Sequence, residues 1–191
     1  MVKNTPVVTV VVFGGTGDLT KRKLVVAFTK LIDDGIISKQ SLFVGIGRST
    51  FDDVSYKQML ADFQEDADKE QAIKKLNVAY FRGDVSEKSS FEEFDSFLKK
   101  HETTENVDGR LFYLSTSFTL FSKIADILQH CECMNRGFNR IAFEKPFGHD
   151  LKSHNAFERQ IAKYFDDHQL FRIDHYLGKE TVANLNTLKF E

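Results

Sequence analysis

The chain has 191 residues, 41% hydrophobic and 28% charged, with two prolines and eleven glycines, a composition that suits a folded chain with one ample core and leaves no disordered linker to propose. Its 26 Lys and Arg against 28 Asp and Glu give a net charge of -2, so no overall field draws it to phosphate backbones or anionic membranes. No stretch approaches the roughly 18 to 20 apolar residues that span a bilayer, so neither nucleic acid nor a membrane is an expected partner.

The first apolar run, Val7 to Phe13, is rich in β-branched residues and ends in glycines, which predicts a buried strand rather than a signal peptide. A helix is expected from Thr16 or Gly17 to just before Gly35, turning Leu19, Leu24, Ala27, Phe28, Leu31 and Ile32 inward. Leu42 to Gly47 is a second strand, followed by one polar helix over Val54 to Lys75 and a strand at Val78 to Arg82. Asp84 or Ser86 then caps a helix that carries Phe91, Phe94 and Leu98 inward. Strands at Leu111 to Ser115, Ile141 to Phe143 and Leu170 to Ile173 follow, with helices over Leu120 to Cys131 and Leu151 to Tyr164. The spacing of the nineteen phenylalanines on these core faces marks them as packing residues. Cys131 and Cys133, two apart on a predicted helix, point in different directions and are expected to be structural thiols in a reducing cytoplasm.

Strands that are continuously apolar, each followed by a helix, predict an α/β fold with a doubly wound, Rossmann-like parallel sheet and helices on both faces. In such sheets ligands bind beyond the carboxyl ends of the strands, so the residues just after each strand carry the most weight.

The first strand runs into GGTGDLTKRK, residues 14 to 23. A glycine turn opening a helix lets backbone approach a pyrophosphate at the helix's positive end. Leu19 stands at the third glycine position of G-x-G-x-x-G and at the second of the P-loop frame, so the turn is a variant of the first and argues against a nucleotide kinase. After the second strand the chain offers Arg48, with Ser49 and Thr50 behind it, where an NAD enzyme usually offers a carboxylate. A guanidinium suits a ribose 2'-phosphate, so the expected coenzyme is NADP. Lys21, Arg22 and Lys23 add positive charge, though each reads equally as part of a solvated helix face. Strand five ends in EKPFG, placing Lys145 at the crevice. LFRIDHYLGKE, residues 170 to 180, crowds Asp174, His175, Tyr176 and Lys179 at the last strand's end, where a helix start, a lysine and a histidine make an anion site.

GGTGDLTKRK, RLFYLS, NRIAFEKPFG and FDDHQLFRIDHYLGKE together resemble the glucose-6-phosphate dehydrogenase family in order and spacing, most nearly its bacterial type. The resemblance implies that Gly14, Thr16, Gly17 and Lys23 contact NADP and that Arg48 holds its 2'-phosphate. Lys145 would lie between coenzyme and sugar, while His175 and Lys179, assisted by Tyr176, would grip the phosphate of glucose 6-phosphate. Asp174 would orient the family's catalytic histidine. That histidine belongs to an asparagine-histidine pair in a large second α+β domain, and nothing here matches it. Residues 1–177 are therefore expected to be the NADP-binding domain and 178–191 a linking helix toward a truncated second domain, with little or no turnover by this chain alone. Leu185, Leu188 and Phe190 of that helix are expected to be exposed. The family's tyrosine-proline falls on Val25-Val26 and its loop prolines on Ser117-Phe118. The alternative is a stand-alone NADP-binding or sensor module. A short-chain reductase ranks behind both, since its Tyr-x-x-x-Lys is not met by Tyr176 and Lys179.

Overall fold

A computed structural model of the chain describes residues 5–102, 107–145 and 150–174. Six strands, β1 (Val8–Phe13), β2 (Leu42–Gly47), β3 (Asn77–Arg82), β4 (Gly109–Leu114), β5 (Phe138–Glu144) and β6 (Leu170–Ile173), form one parallel sheet in the order 3-2-1-4-5-6. The order reverses between β1 and β4, which pair from Val8 opposite Gly109 to Phe13 opposite Leu114. That reversal opens the crevice in which such sheets bind ligands.

Alternate strand residues feed two cores, one on each face. Val12, Phe43, Val78 and Tyr80 pack with helices α1 (Val25–Asp33), α2 (Asp53–Asp62) and α3 (Ala67–Lys74). Val11, Phe13, Val44, Phe81, Phe112 and Phe143 pack with α4 (Phe94–His101), α5 (Phe121–His130) and α6 (Leu151–Ile161). The phenylalanines are core residues, as their spacing implies: Phe81 and Phe94 lie 4.9 Å apart, and Phe143 and Phe157 5.5 Å.

Several local expectations are corrected. The segment over residues 54–75 is two helices, because the Asp66 side chain accepts from the Asp68 and Lys69 amides and starts α3 afresh. Asp84 accepts from the Ser86 amide at 2.8 Å and caps a turn, leaving α4 to begin ten residues after it. β4 and β5 begin earlier than their apolar runs, at Gly109 and Phe138, since backbone pairing extends past the hydrophobic residues. The first helix contains a π-helical turn, Thr20–Leu24, before α1. A π turn carries an extra residue, so the inward face shifts by one position: Val25 and Thr29 are buried, whereas Ala27 and Leu31 are exposed.

The cysteines are not free thiols on a helix. α5 stops at His130 and Cys131 turns extended (φ -92°, ψ 135°), bringing its Cα to 5.1 Å from that of Cys133, and the two sulfurs are bonded. Helical periodicity hides this because both cysteines lie past the helix end. The Cys133 carbonyl also accepts from the fully buried Arg110 at 2.7 Å. Arg110 forms a two-point pair with Glu102 (2.8 and 3.0 Å), and Thr9 and Arg136 add hydrogen bonds to the same carboxylate.

Candidate functional site

Gly14 ends β1 in the left-handed region, at φ 91°. A Cβ there would lie 2.2 Å from the Ser115 carbonyl oxygen, and one on Gly15 would lie 2.6 Å from the Gly45 Cα. These two glycines therefore let the turn sit against β4 and β2, a demand of packing rather than of ligand. Their amides are committed too: Gly14 and Gly15 both donate to the Ile46 carbonyl, at 3.1 and 2.8 Å, and Gly17 donates to Gly14 at 2.9 Å. All three amides are thus hydrogen-bonded within the chain. Gly17 is the open member of the turn, since an added Cβ would meet only the Gly14 oxygen, at 3.1 Å. Thr16 stands beside the end of β2, its Oγ1 3.6 Å from where a Gly47 Cβ would be.

The basic triplet separates into three roles. Lys21 lies 4.4 Å from the centre of the Phe63 ring, and Arg22 pairs with Asp18 at 2.8 Å while covering the same ring. Lys23 is exposed and makes no ion pair among the described residues. Arg48 is exposed immediately after β2, and its charge is felt at Asp84, just past the end of β3. Asp84 titrates below its ordinary value, chiefly because the Ser86 amide bonds its carboxylate, with smaller contributions from Arg48 and Lys123. Arg82, opposite Gly47 at the end of β3, adds a charge to this corner. The sequence does not single it out, because a lone arginine closing an apolar strand reads as an ordinary solvated end.

Beyond the carboxyl ends of the neighbouring strands β4 and β5 a cavity of about 410 Å³ is lined by Leu114 to Phe118 from the end of β4 and by Glu144 and Lys145 from the end of β5. Its loop needs no prolines: Ser117 accepts from the Thr119 amide at 3.4 Å and starts a 3-10 turn over Phe118–Leu120. The other departure, Val25-Val26, is also accommodated, with Val25 buried in the α1 core. Glu144 and Lys145 do not pair with each other. Tyr113 donates to Glu144 at 2.5 Å, and burial first, then the carboxylate, raises the phenol so that it keeps its proton. Lys145 forms an ion pair with Asp174 from the end of β6.

The site residues of the first, second and fifth strand ends, together with Asp174, thus stand along one edge of the sheet. His175, Tyr176 and Lys179 lie outside the described residues, as do the helix over 178–191 and its Leu185, Leu188 and Phe190. Of the histidines, His101, His130, His154 and His168 are described, and none lines the cavity. Among the described residues no helix is long and apolar enough to cross a membrane, and no metal-ligating cluster occurs.

A glycine turn at the reversal of a 3-2-1-4-5-6 parallel sheet, with a basic residue at the next strand end, defines a dinucleotide-binding α/β domain. The sequence model described as "Glucose-6-phosphate dehydrogenase, NAD binding domain" matches residues 11–184, and the chain belongs to that family. It is 35% identical to the glucose-6-phosphate 1-dehydrogenase of Bacillus subtilis over 188 residues, covering 97% of this chain and 38% of the relative. A relative from Arabidopsis thaliana, "Glucose-6-phosphate 1-dehydrogenase 6, cytoplasmic", is 31% identical over 204 residues, covering all of this chain and 39% of its own length. A solved glucose-6-phosphate dehydrogenase in complex with its substrate glucose-6-phosphate superposes with a TM-score of 0.82 at 30% identity, over 97% of this chain and 40% of that one. The chain therefore spans about two fifths of the length of these relatives.

Proposed function

We propose that the chain forms the NADP-binding part of a cytoplasmic glucose-6-phosphate dehydrogenase, the enzyme that oxidises glucose 6-phosphate to 6-phosphogluconolactone. The observation that carries this is the placement of Arg48, exposed at the end of β2, next to the strand whose glycine turn sits at the switch point. A dinucleotide fits here: Gly17 keeps the turn open, Lys23 is uncommitted among the described residues, and the guanidinium of Arg48 suits a 2'-phosphate better than a bare ribose. Gly14 and Thr16 shape the turn that would carry the pyrophosphate.

Lys145 is assigned to the boundary between coenzyme and sugar, and it lines the cavity and pairs with Asp174. His175 and Lys179, with Tyr176, are assigned to the substrate phosphate, and Asp174 to orienting a histidine base. The bound dinucleotide supplies the acceptor for the hydride leaving the sugar's C1, and the proton of the anomeric hydroxyl needs that base. No described histidine stands at the cavity to take it. Residues 1–177 are assigned to the coenzyme domain and 178–191 to a linker.

The test is coenzyme titration of the purified chain by calorimetry, together with NADPH absorbance at saturating glucose 6-phosphate. Binding of NADP in preference to NAD without sustained turnover is expected. Sustained NADPH formation would mean that these residues contain a base of their own, and absence of any NADP binding would sink the coenzyme assignment.

A further inference from the structure

Thr116 presents a hydroxyl with no use among the described residues. It follows β4, lines the 410 Å³ cavity, and abuts the glycine turn, its methyl 3.3 Å from where a Gly14 Cβ would stand. Its Oγ1 is buried and has no hydrogen-bond partner among those residues. Its neighbours solve the same problem locally: Ser117 caps the 3-10 turn, and Thr20 donates to the Gly14 carbonyl at 2.9 Å. A buried hydroxyl left unpaired carries a desolvation cost that an isosteric valine would not, so a threonine here is explained best by a partner that arrives from outside the chain. Rotation about χ1 between staggered wells is the motion open to it, and the cavity it lines is the space available.

We infer that Thr116 is a coenzyme-binding residue whose hydroxyl bonds an oxygen in the nicotinamide half of the dinucleotide. The assignment rests on the coenzyme role proposed above. The half is set by topology: in a sheet ordered 3-2-1-4-5-6, β1 to β3 carry the adenosine half and β4 to β6 the nicotinamide half, and Thr116 follows β4. A hydroxyl both donates and accepts, so it suits a ribose hydroxyl or a phosphate oxygen equally.

The test compares wild type with Thr116→Val and Thr116→Ser, titrating each with NADP and with 2',5'-ADP, which ends at the adenosine half, and recording the melting temperature without ligand. Thr116→Val should weaken NADP about five- to tenfold while leaving 2',5'-ADP within about twofold, and Thr116→Ser should bind NADP within about twofold of wild type. Without ligand, Thr116→Val should melt about 2–4 °C higher, because the unpaired hydroxyl is gone. Unchanged NADP affinity in Thr116→Val overturns the inference, as does equal weakening of both ligands or a lower melting point, which would reveal a partner within the chain. If valine does not fold, Thr116→Ala gives the same comparison of ligands. A wild-type chain that binds 2',5'-ADP and NADP alike would overturn the Thr116 assignment alone. One that binds neither would overturn the coenzyme reading with it.

Discussion

Lys145 and Asp174, twenty-nine residues apart in the chain, form an ion pair across the carboxyl ends of the neighbouring strands β5 and β6. The lysine side chain is 55% exposed and the aspartate 17%, so solvent screens the attraction on one side only. A thermal-unfolding cycle of Lys145→Met, Asp174→Asn and the double variant should give a coupling of about 0.2–1 kcal/mol. A coupling of several kcal/mol would make the pair a structural clamp rather than two site residues held ready.

Arg48→Ala should reduce NADP affinity by about 10- to 100-fold, the worth of charge-assisted hydrogen bonds to a phosphate, and leave NAD within about twofold. Calorimetric titration with both coenzymes measures the ratio. A preference for NADP that survives the substitution would remove Arg48 from the 2'-phosphate.

Gly14 and Gly17 should separate under alanine substitution. Gly14→Ala meets the Ser115 oxygen at a positive φ and should cost about 2–4 kcal/mol of stability. Gly17→Ala has only the Gly14 oxygen at 3.1 Å to accommodate, so its stability should fall by less than about 1 kcal/mol, with the loss appearing in coenzyme affinity. Denaturant melts paired with NADP titrations distinguish the two.

Arg110→Met should cost about 3–5 kcal/mol, because it strands the buried Glu102 carboxylate with Arg136 and Thr9 as its remaining donors. Adding Glu102→Leu should recover part of that loss. Urea unfolding of both variants is the measurement, and a double variant less stable than the single one would contradict the account.

Glu158 titrates below its ordinary value of 4.5 because Arg172 bonds its carboxylate, at 3.0 and 2.6 Å, tying β6 to α6. A lowered folded pKa means the contribution is complete above the unfolded value and disappears as pH falls through the folded one. Glu158→Gln should therefore lower stability by less than about 1 kcal/mol at pH 7, since the pair is about one third exposed, and the difference should vanish in acid. Melting temperatures of both proteins across pH 2 to 7 test the sign.

Elements set by local pattern are legible in the amino-acid sequence. Leu42 to Gly47 is a strand with the bounds its apolar run implies, and Leu170 to Ile173 likewise. The contact of Phe81 with Phe94 follows from strand and helical spacing. Pattern misleads where a side chain or one extra residue redirects the backbone: Asp66 restarting a helix, the π turn at Thr20–Leu24 rotating α1, and Cys131 leaving α5 to meet its partner. Such switches depend on single contacts that periodicity averages away.

The order of elements, the glycine turn, and the charges of Arg48 and Lys145 follow from the residues alone, because each depends on residue type and position along a strand. What those residues meet follows from the folded chain. Folding commits the Gly14 and Gly15 amides to Ile46, pairs Lys145 with Asp174, and leaves the Thr116 hydroxyl at the cavity without a partner among the described residues. These outcomes depend on strands far apart in sequence lying side by side, and on which of their polar groups the packing satisfies and which it leaves for a ligand.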